Sequence, residues 1–333
     1  MKKVRLGVYS AILSFAMTLT GALSPSIMYA NDNPAIEGNK EADMKVTLLG
    51  TGSPLLSMER FGTSTLIEAG SEKLLFDAGR GAALRLNQIN VLPGEINKLF
   101  ITHLHSDHLI GIPDIWLTGT LTTTGHRSTE FEVWGPTGTK QMMEDLKKAF
   151  KPDIDTRIEN GYIVPTGAET IGHDIEPGVV YEKNGVQVIA FLVDHDIDPA
   201  YGYRINYKGR SVVISGDTSY NENIIKYGKG VDLLIHEVIA ARPEDLKKIK
   251  AFNKIVSIHT TPEQAGKVFQ LTRPKLAVYT HIVLLGDLSE PEANLLYRTQ
   301  SVYDGNVIVG NDLMTFEIGK NVTAKQLKYT WIP

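Results

Sequence analysis

Cysteine is absent from all 333 residues. The chain can therefore form no disulfide and carry no lipid on a cleavage-site thiol, and any metal it binds must be held by histidine, aspartate or glutamate. A surplus of positive charge is also missing. Thirty-four lysines and arginines face 38 acids, a formal net charge of −4, so no global basic field draws the chain to nucleic acid. From Met44 onward there is no linker, charge block, low-complexity tract or fixed-period repeat. Histidine is scarce, nine in total. What remains is ordinary: 42% hydrophobic and 22% charged residues, in a chain long enough to bury a substantial core.

The first thirty residues stand apart. A basic start, "MKKVR", precedes the uncharged apolar stretch "LGVYSAILSFAMTLTGAL" and then "SPSIMYA". That order is the secretory-signal pattern, with cleavage expected near Ala30 although Met28 is a poor residue for the site. A membrane anchor is the competing reading; the stretch is short for a span and interrupted by Ser, Thr and Gly. Residues 1–30 are thus read as a signal peptide and 31–44, polar and without periodicity, as a flexible leader. Residues 45–333 are read as one domain, exported to the periplasm or beyond the cell and free of the membrane after cleavage. Loss of Lys2, Lys3 and Arg5 with the signal takes the net charge to −7.

Short apolar runs rich in β-branched residues predict strands at "KVTLLG", "TSTLIEAG", "EKLLFDAG", "INKLFITH", "EFEVWG", "VQVIAFLVDH", "YGYRINYKG", "RSVVISGD", "DLLIHEV", "KLAVYTH" and "NVIVG". "KNGV" carries the Asn-Gly of a type I′ hairpin. Helical patterns lie between, at "GAALRLNQI", "TKQMMEDLKKAF", "RPEDLKKIKAF", "TPEQAGKVFQL" and "PEANLLYRTQSV"; "TTPEQ" supplies a threonine cap and an early proline. Strands and helices mixed in both halves predict a layered α/β domain. Asp77, His103, His195, Asp217, His236 and His281 each fall at the C-terminal end of an apolar run, where such folds gather their sites.

Residues 102–108 read "THLHSDH". In extended backbone, residues two apart point the same way, so His103 and His105 reach one cation together. Asp107 and His108 follow a turn of the chain and face a second. Imidazole and carboxylate suit zinc and similar divalent ions, whereas an all-oxygen set would suit magnesium or calcium.

"THLHSDH" resembles the signature of the metallo-β-lactamase superfamily. "DAGRG" at 77–81, "VDH" at 193–195, "SGDT" at 215–218 and "TH" at 280–281 follow in that family's order. "LLGTGSP", "YGYRI", "HEV" and "HTTPEQAG" resemble its ribonuclease Z-like branch. "RFGTSTLIEAG", "THLHSDHLIGIPDIWLTG", "WGPTGT", "GRSVVISGDT" and "YDGNVIVGNDLM" are most similar to the secreted arylsulfatases of that superfamily. The resemblance covers residues 45–318 and implies an αββα sandwich and two divalent metal ions, zinc by ligand type. It implies His103, His105 and His195 on one metal, Asp107, His108 and His281 on the other, and Asp217 bridging both through its two oxygens. It makes Asp107, His259, Glu237 and His236 the catalytic set, with His259 donating a proton to the leaving oxygen and His236 and Glu237 orienting the centre. A helix-capping histidine and a buried structural pair are the competing readings of these last three. Asp77 is expected to hold a ligand histidine, and His126 and His173 to lie on the surface.

The implied function is a secreted hydrolase of sulfate or phosphate esters, most like an arylsulfatase, with a metal-activated hydroxide as nucleophile. The alternatives are a ribonuclease Z-like phosphodiesterase and a lactone or β-lactam hydrolase using the same metals. The family's tRNA-processing members carry a protruding basic arm, while residues 151–183 hold more acids than bases. A small anionic ester is therefore the expected partner and nucleic acid is not; a homodimer is allowed. Arg60, Arg80, Arg204 and Arg210 are candidates for the anion pocket.

Overall fold

The computed structural model describes residues 42–286 and 292–327; the expected signal peptide and nearly all of the leader lie outside them. Among the described residues, two sheets are built from fifteen strands. Six come first: β1 (Met44–Gly50), β2 (Ser64–Ala69), β3 (Glu72–Phe76), β4 (Lys98–Phe100), β5 (Phe131–Gly135) and β6 (Thr170–Asp174). Then follow β7 (Gly178–Lys183), β8 (Val186–Val193), β9 (Ala200–Tyr207), β10 (Arg210–Ile214), β11 (Leu233–Ala241), β12 (Leu276–Leu285) and β13 (Val307–Val309). Strands β14 (Met314–Ile318) and β15 (Val322–Gln326) return to the first sheet. The orders are β15-β14-β1-β2-β3-β4-β5-β6 and β13-β12-β11-β10-β9-β8-β7.

Period-two alternation explains why the sheets stack. Val46, Leu48, Leu74 and Phe76 of the first sheet meet Ile205, Val212, Ile235 and Val278 of the second in one buried cluster. Opposite faces are equally apolar. Leu66, Leu75, Leu99 and Val133 pack beneath the helices Ala82–Gln88, Ile112–Thr118 and Thr139–Ala149. Val213, Leu234 and Tyr279 pack beneath Glu222–Gly228 and Pro262–Thr272. Helix, sheet, sheet, helix: the expected αββα sandwich is observed.

Local signals hold at several points. Asn184 and Gly185 both take positive φ, 51° and 80°, in the turn joining β7 to β8. Thr261 caps the helix Pro262–Thr272 in a capping box with Gln264. The single helix read at "RPEDLKKIKAF" is instead two, Pro243–Lys248 and Lys250–Ser257. Residues 151–183 contain no appended arm; they fold into the helices Lys151–Glu159 and Pro165–Ala168 and the strands β6 and β7 of the two sheets.

Parallel pairing aligns strand ends. β3, β4 and β5 run parallel in the first sheet, as do β10, β11 and β12 in the second. Their C-terminal ends deliver Asp77, the 102–108 segment and Asp217 to neighbouring loops. Thr102 O, just after β4, accepts from Tyr201 N of β9 and ties the two ends together at 2.8 Å.

Candidate metal centre

His103 and His105 leave the end of β4 in extended backbone, and the short helix Ser106–Leu109 then turns Asp107 and His108 back toward them. The main chain fixes that turn: Ala78 N donates to His108 O at 2.8 Å, and Gly111 N to Ala78 O at 2.8 Å. His195 follows β8. Asp217 follows β10 after Gly216, whose φ of 62° is left-handed; a Cβ there would lie 2.6 Å from the Tyr201 carbonyl. Only glycine makes that bend without strain.

His236 and His281 are not at strand ends, contrary to the sequence reading. Both lie inside long strands. At His281 the β11–β12 register slips, with Glu237 opposite Thr280 and Val238 opposite Ile282, and His281 takes φ 42°. The extra residue of a β-bulge is re-aimed out of the ladder, and here it is aimed at Asp217. His236 goes the other way. Alternation that points Glu237 toward the centre points His236 into the outer layer, where its ring meets Phe269 edge-on at 5.8 Å and Nδ1 approaches the Glu237 carbonyl. Among the described residues its contacts are thus with Phe269 and the Glu237 main chain and not with a candidate ligand side chain.

The other ligand candidates converge. His105 Nδ1 lies 3.1 Å from His103 Nε2 and 3.2 Å from His195 Nε2. His281 Nε2 lies 3.2 Å from Asp107 Oδ2, and His108 Nε2 3.5 Å from the same oxygen. One oxygen, Asp217 Oδ2, faces both groups: 3.1 Å from His281, 3.4 Å from His108, and 3.9 Å from each of His103 and His195. Asp217 thus lies between the two groups.

These residues fit divalent cations. Four ligands at about 2.0–2.1 Å around a tetrahedral ion sit roughly 3.3 Å apart, close to the spacings above. His108 Nε2 and Asp217 Oδ1 are buried with no hydrogen-bond partner, which is costly unless a cation takes them. Bound there, two such ions would supply a Lewis acid and a nucleophile drawn from water at neutral pH. Burial, with the neighbouring His108, His195 and His105 rings, holds His103 well below its usual pKa, in the neutral form a metal needs.

An outer layer orients the rings. Asp77 Oδ2 is 2.8 Å from His108 Nδ1 and accepts from Thr102 Oγ1 at 2.9 Å, while Oδ1 accepts from Thr102 N. Asp77 therefore holds a ligand histidine, as expected. His103 Nδ1 meets Thr102 Oγ1, and His195 Nδ1 the Ile258 carbonyl, both at 3.0 Å. Thr102 and Asp196 were not singled out in the sequence, although both adjoin singled-out histidines in the chain.

His259, 8% exposed, caps nothing; its ring stacks near His281 at 5.7 Å. Glu237 Oε1 lies 3.2 Å from its Nδ1, at an angle short of a hydrogen bond, and accepts from Thr260 N at 2.8 Å. Burial favours the neutral ring, but Glu237, helped by Asp217 and Asp196, outweighs it and pushes the His259 pKa up to about 9. His173 lies elsewhere, stacked on Trp134 and paired with Glu132. Of the four arginines, Arg204 holds Tyr227 O and Arg210 pairs with Asp43 at the opposite strand ends. Arg60 binds Thr51 and Gly310 O. Arg80 is exposed, three residues beyond Asp77.

A two-sided cluster of histidine and aspartate at the strand ends of an αββα sandwich defines a metal-dependent hydrolase, and the chain belongs to the beta-lactamase superfamily, whose domain matches residues 72–282. Among its relatives, it is similar to ribonuclease Z of Mycolicibacterium gilvum, 31% identical over 284 residues that make up 85% of this chain and 99% of that one. Ribonuclease Z of Mycobacterium bovis is 32% identical over 279 residues, 83% and 98% of the two chains. The human short-form tRNase Z structure is 25% identical with a TM-score of 0.61, covering 83% of this chain and 99% of its own. A metallo-beta-lactamase fold protein of Bacillus subtilis, 19% identical with a TM-score of 0.64 and coverage of 83% and 99%, shares the fold.

These relatives overturn one expectation. A small anionic ester with no nucleic-acid partner does not agree with whole-length relatives named as ribonucleases. Residues 151–183 are strands and helices of the sandwich, so their acidity describes the scaffold and not a substrate-gripping arm.

Proposed function

We propose that the protein is a metal-dependent phosphodiesterase of the ribonuclease Z kind, acting on RNA. The observation that carries this reading is the placement of His259 at the rim of the metal cluster, with Nδ1 3.2 Å from Glu237 Oε1, where the ring could give a proton to a leaving oxygen. A sugar oxygen leaving from RNA is a poor leaving group that needs a proton, whereas a phenol leaving from an aryl sulfate needs little help. Whole-length likeness to ribonuclease Z supports the same choice, and sulfate-ester hydrolysis, read from sequence blocks alone, lacks such support. Seven residues would hold the ions: His103, His105 and His195 on one side, Asp107, His108 and His281 on the other, and Asp217 between. Glu237 engages Nδ1 of His259 and leaves Nε2 to deliver the proton. Phosphate contacts would come from local cations such as Arg80, since the chain lacks a global basic field.

The basic start and uncharged stretch of residues 1–30 support export, so the RNA would be met outside the cytoplasm. N-terminal sequencing of the mature protein from that fraction tests this part. The activity is tested by incubating a labelled transfer RNA transcript with the metal-loaded protein. Cleavage that stops on chelation and is absent in Asp217→Asn supports the proposal; an intact transcript, with another ester turned over by the same preparation, rejects it.

A further inference from the structure

The five clustered histidines do not all offer the same nitrogen. His103, His108 and His195 turn Nε2 inward and have Nδ1 engaged by Thr102, Asp77 and the Ile258 carbonyl. His281 also turns Nε2 toward Asp217. His105 is reversed: its Nδ1 faces His103 and His195 at 3.1 and 3.2 Å, so Nε2 faces out. A neutral imidazole that gives Nδ1 to a cation carries its proton on Nε2, and the group outside that nitrogen decides how firmly the ring is set. Asp196 sits at the rim between the two rings, with Oδ1 3.6 Å from His105 Nε2 and 3.3 Å from His195 Nε2. Both His105 and Asp196 have side chains more than a third exposed, unlike the buried ligands around them. Without a partner, the His105 ring would be the least constrained of the set.

We propose that Asp196 is a positioning residue for the His103–His105–His195 half of the centre. Its carboxylate favours the His105 tautomer with the proton outward and Nδ1 bare, and restrains the exposed edge of a ring whose other nitrogen meets His103 and His195. At 3.6 Å the contact is electrostatic and not a hydrogen bond, so its effect belongs at the lower end of what outer partners contribute to metal affinity, roughly tenfold. The inference rests on the metal-site reading but not on the identity of the substrate.

The test is a competitive titration of metal-free protein with Zn²⁺ against a chromophoric chelator, for wild type, Asp196→Ala and Asp196→Asn, with ¹⁵N-histidine NMR as second readout. Asp196→Ala should weaken one of the two binding constants by roughly tenfold and leave the other unchanged. It should also shift the His105 resonances away from the Nε2-protonated pattern. Asp196→Asn keeps an acceptor oxygen without the charge and should recover part of the loss. Constants within twofold of wild type and unmoved His105 resonances would overturn the proposal, as would equal loss at both sites together with lowered thermal stability. Wild-type protein that takes up no Zn²⁺ would instead remove the metal-site reading itself.

Discussion

Asp217 turns one oxygen toward four imidazole nitrogens drawn from both halves of the centre. Burial opposes its ionisation, but His281, His108 and His103 outweigh burial and hold its carboxyl well below the ordinary range. Asparagine keeps its shape and removes the charge between two dications. Asp217→Asn should lose one metal or bind both far more weakly, and turnover should fall at least about a hundredfold, within the range that mutation of supporting metal contacts already reaches. Elemental analysis with a parallel rate measurement reads both effects; two tightly held metals at near-normal turnover would make it a structural acid. His259 is tested differently, because removing a proton donor matters only when the leaving oxygen needs the proton. His259→Ala should cost about 10²–10⁴ in turnover with metal content unchanged, and the loss should shrink as leaving-group pKa falls. A uniform loss across leaving groups would place His259 in binding or structure. Both residues were singled out in the sequence, Asp217 after "VVISG" and His259 before "TTPEQ", and the structure sets both beside the cluster.

Among the secondary-structure elements, three of the four strands that were missed share a physical character; the fourth, β14 ("MTFEI"), lies inside the first sheet between β15 and β1. β6, "TIGHD", and β15, "VTAKQ", edge the first sheet, and β7, "GVVYEK", edges the second. Half-exposed edges need no continuous apolar run, so their sequences read as loop. The bulge at His281 left no signal either, because "KLAVYTH" reads as a strand end when the strand in fact continues to Leu285. Between the sheets, Glu72 of β3 accepts from Tyr181 of β7 and from Asn184 in the following turn, and pairs with Lys98 of β4. Burial opposes its ionisation, but these partners outweigh burial and hold the carboxyl below its ordinary range. A depressed carboxyl stabilises the fold at pH above its unfolded value, about 4.3, and that contribution is lost as pH falls through the folded value. Denaturant unfolding at pH 6 and pH 3.5 should therefore show a larger loss for wild type than for Glu72→Gln. Equal losses would mean that the clasp carries no linkage.

For the whole molecule, the sandwich gathers chemistry from both halves of a 333-residue chain by aligning two sets of parallel strand ends. The absence of cysteine restricts that chemistry to nitrogen and oxygen ligands. The fold and the cluster of candidate ligands were readable because their patterns are local: alternation within strands, and "HLHSDH" within one turn of chain. The substrate was not, because net charge and the acidity of residues 151–183 average over a scaffold, while recognition is decided by a few groups around the cluster. At saturation the protein should hold close to two equivalents of divalent metal, and removing them with a chelator should abolish turnover reversibly. One equivalent with full activity would contradict the two-sided centre. The proposed phosphodiester chemistry at this centre is tested most directly by comparing bis(p-nitrophenyl) phosphate with p-nitrophenyl sulfate on one metal-loaded preparation. The diester should be hydrolysed at least about ten times faster than the sulfate, a difference of 1.4 kcal/mol in barrier, with both rates lost in Asp217→Asn. Faster cleavage of the sulfate, with the diester at background, would contradict the account.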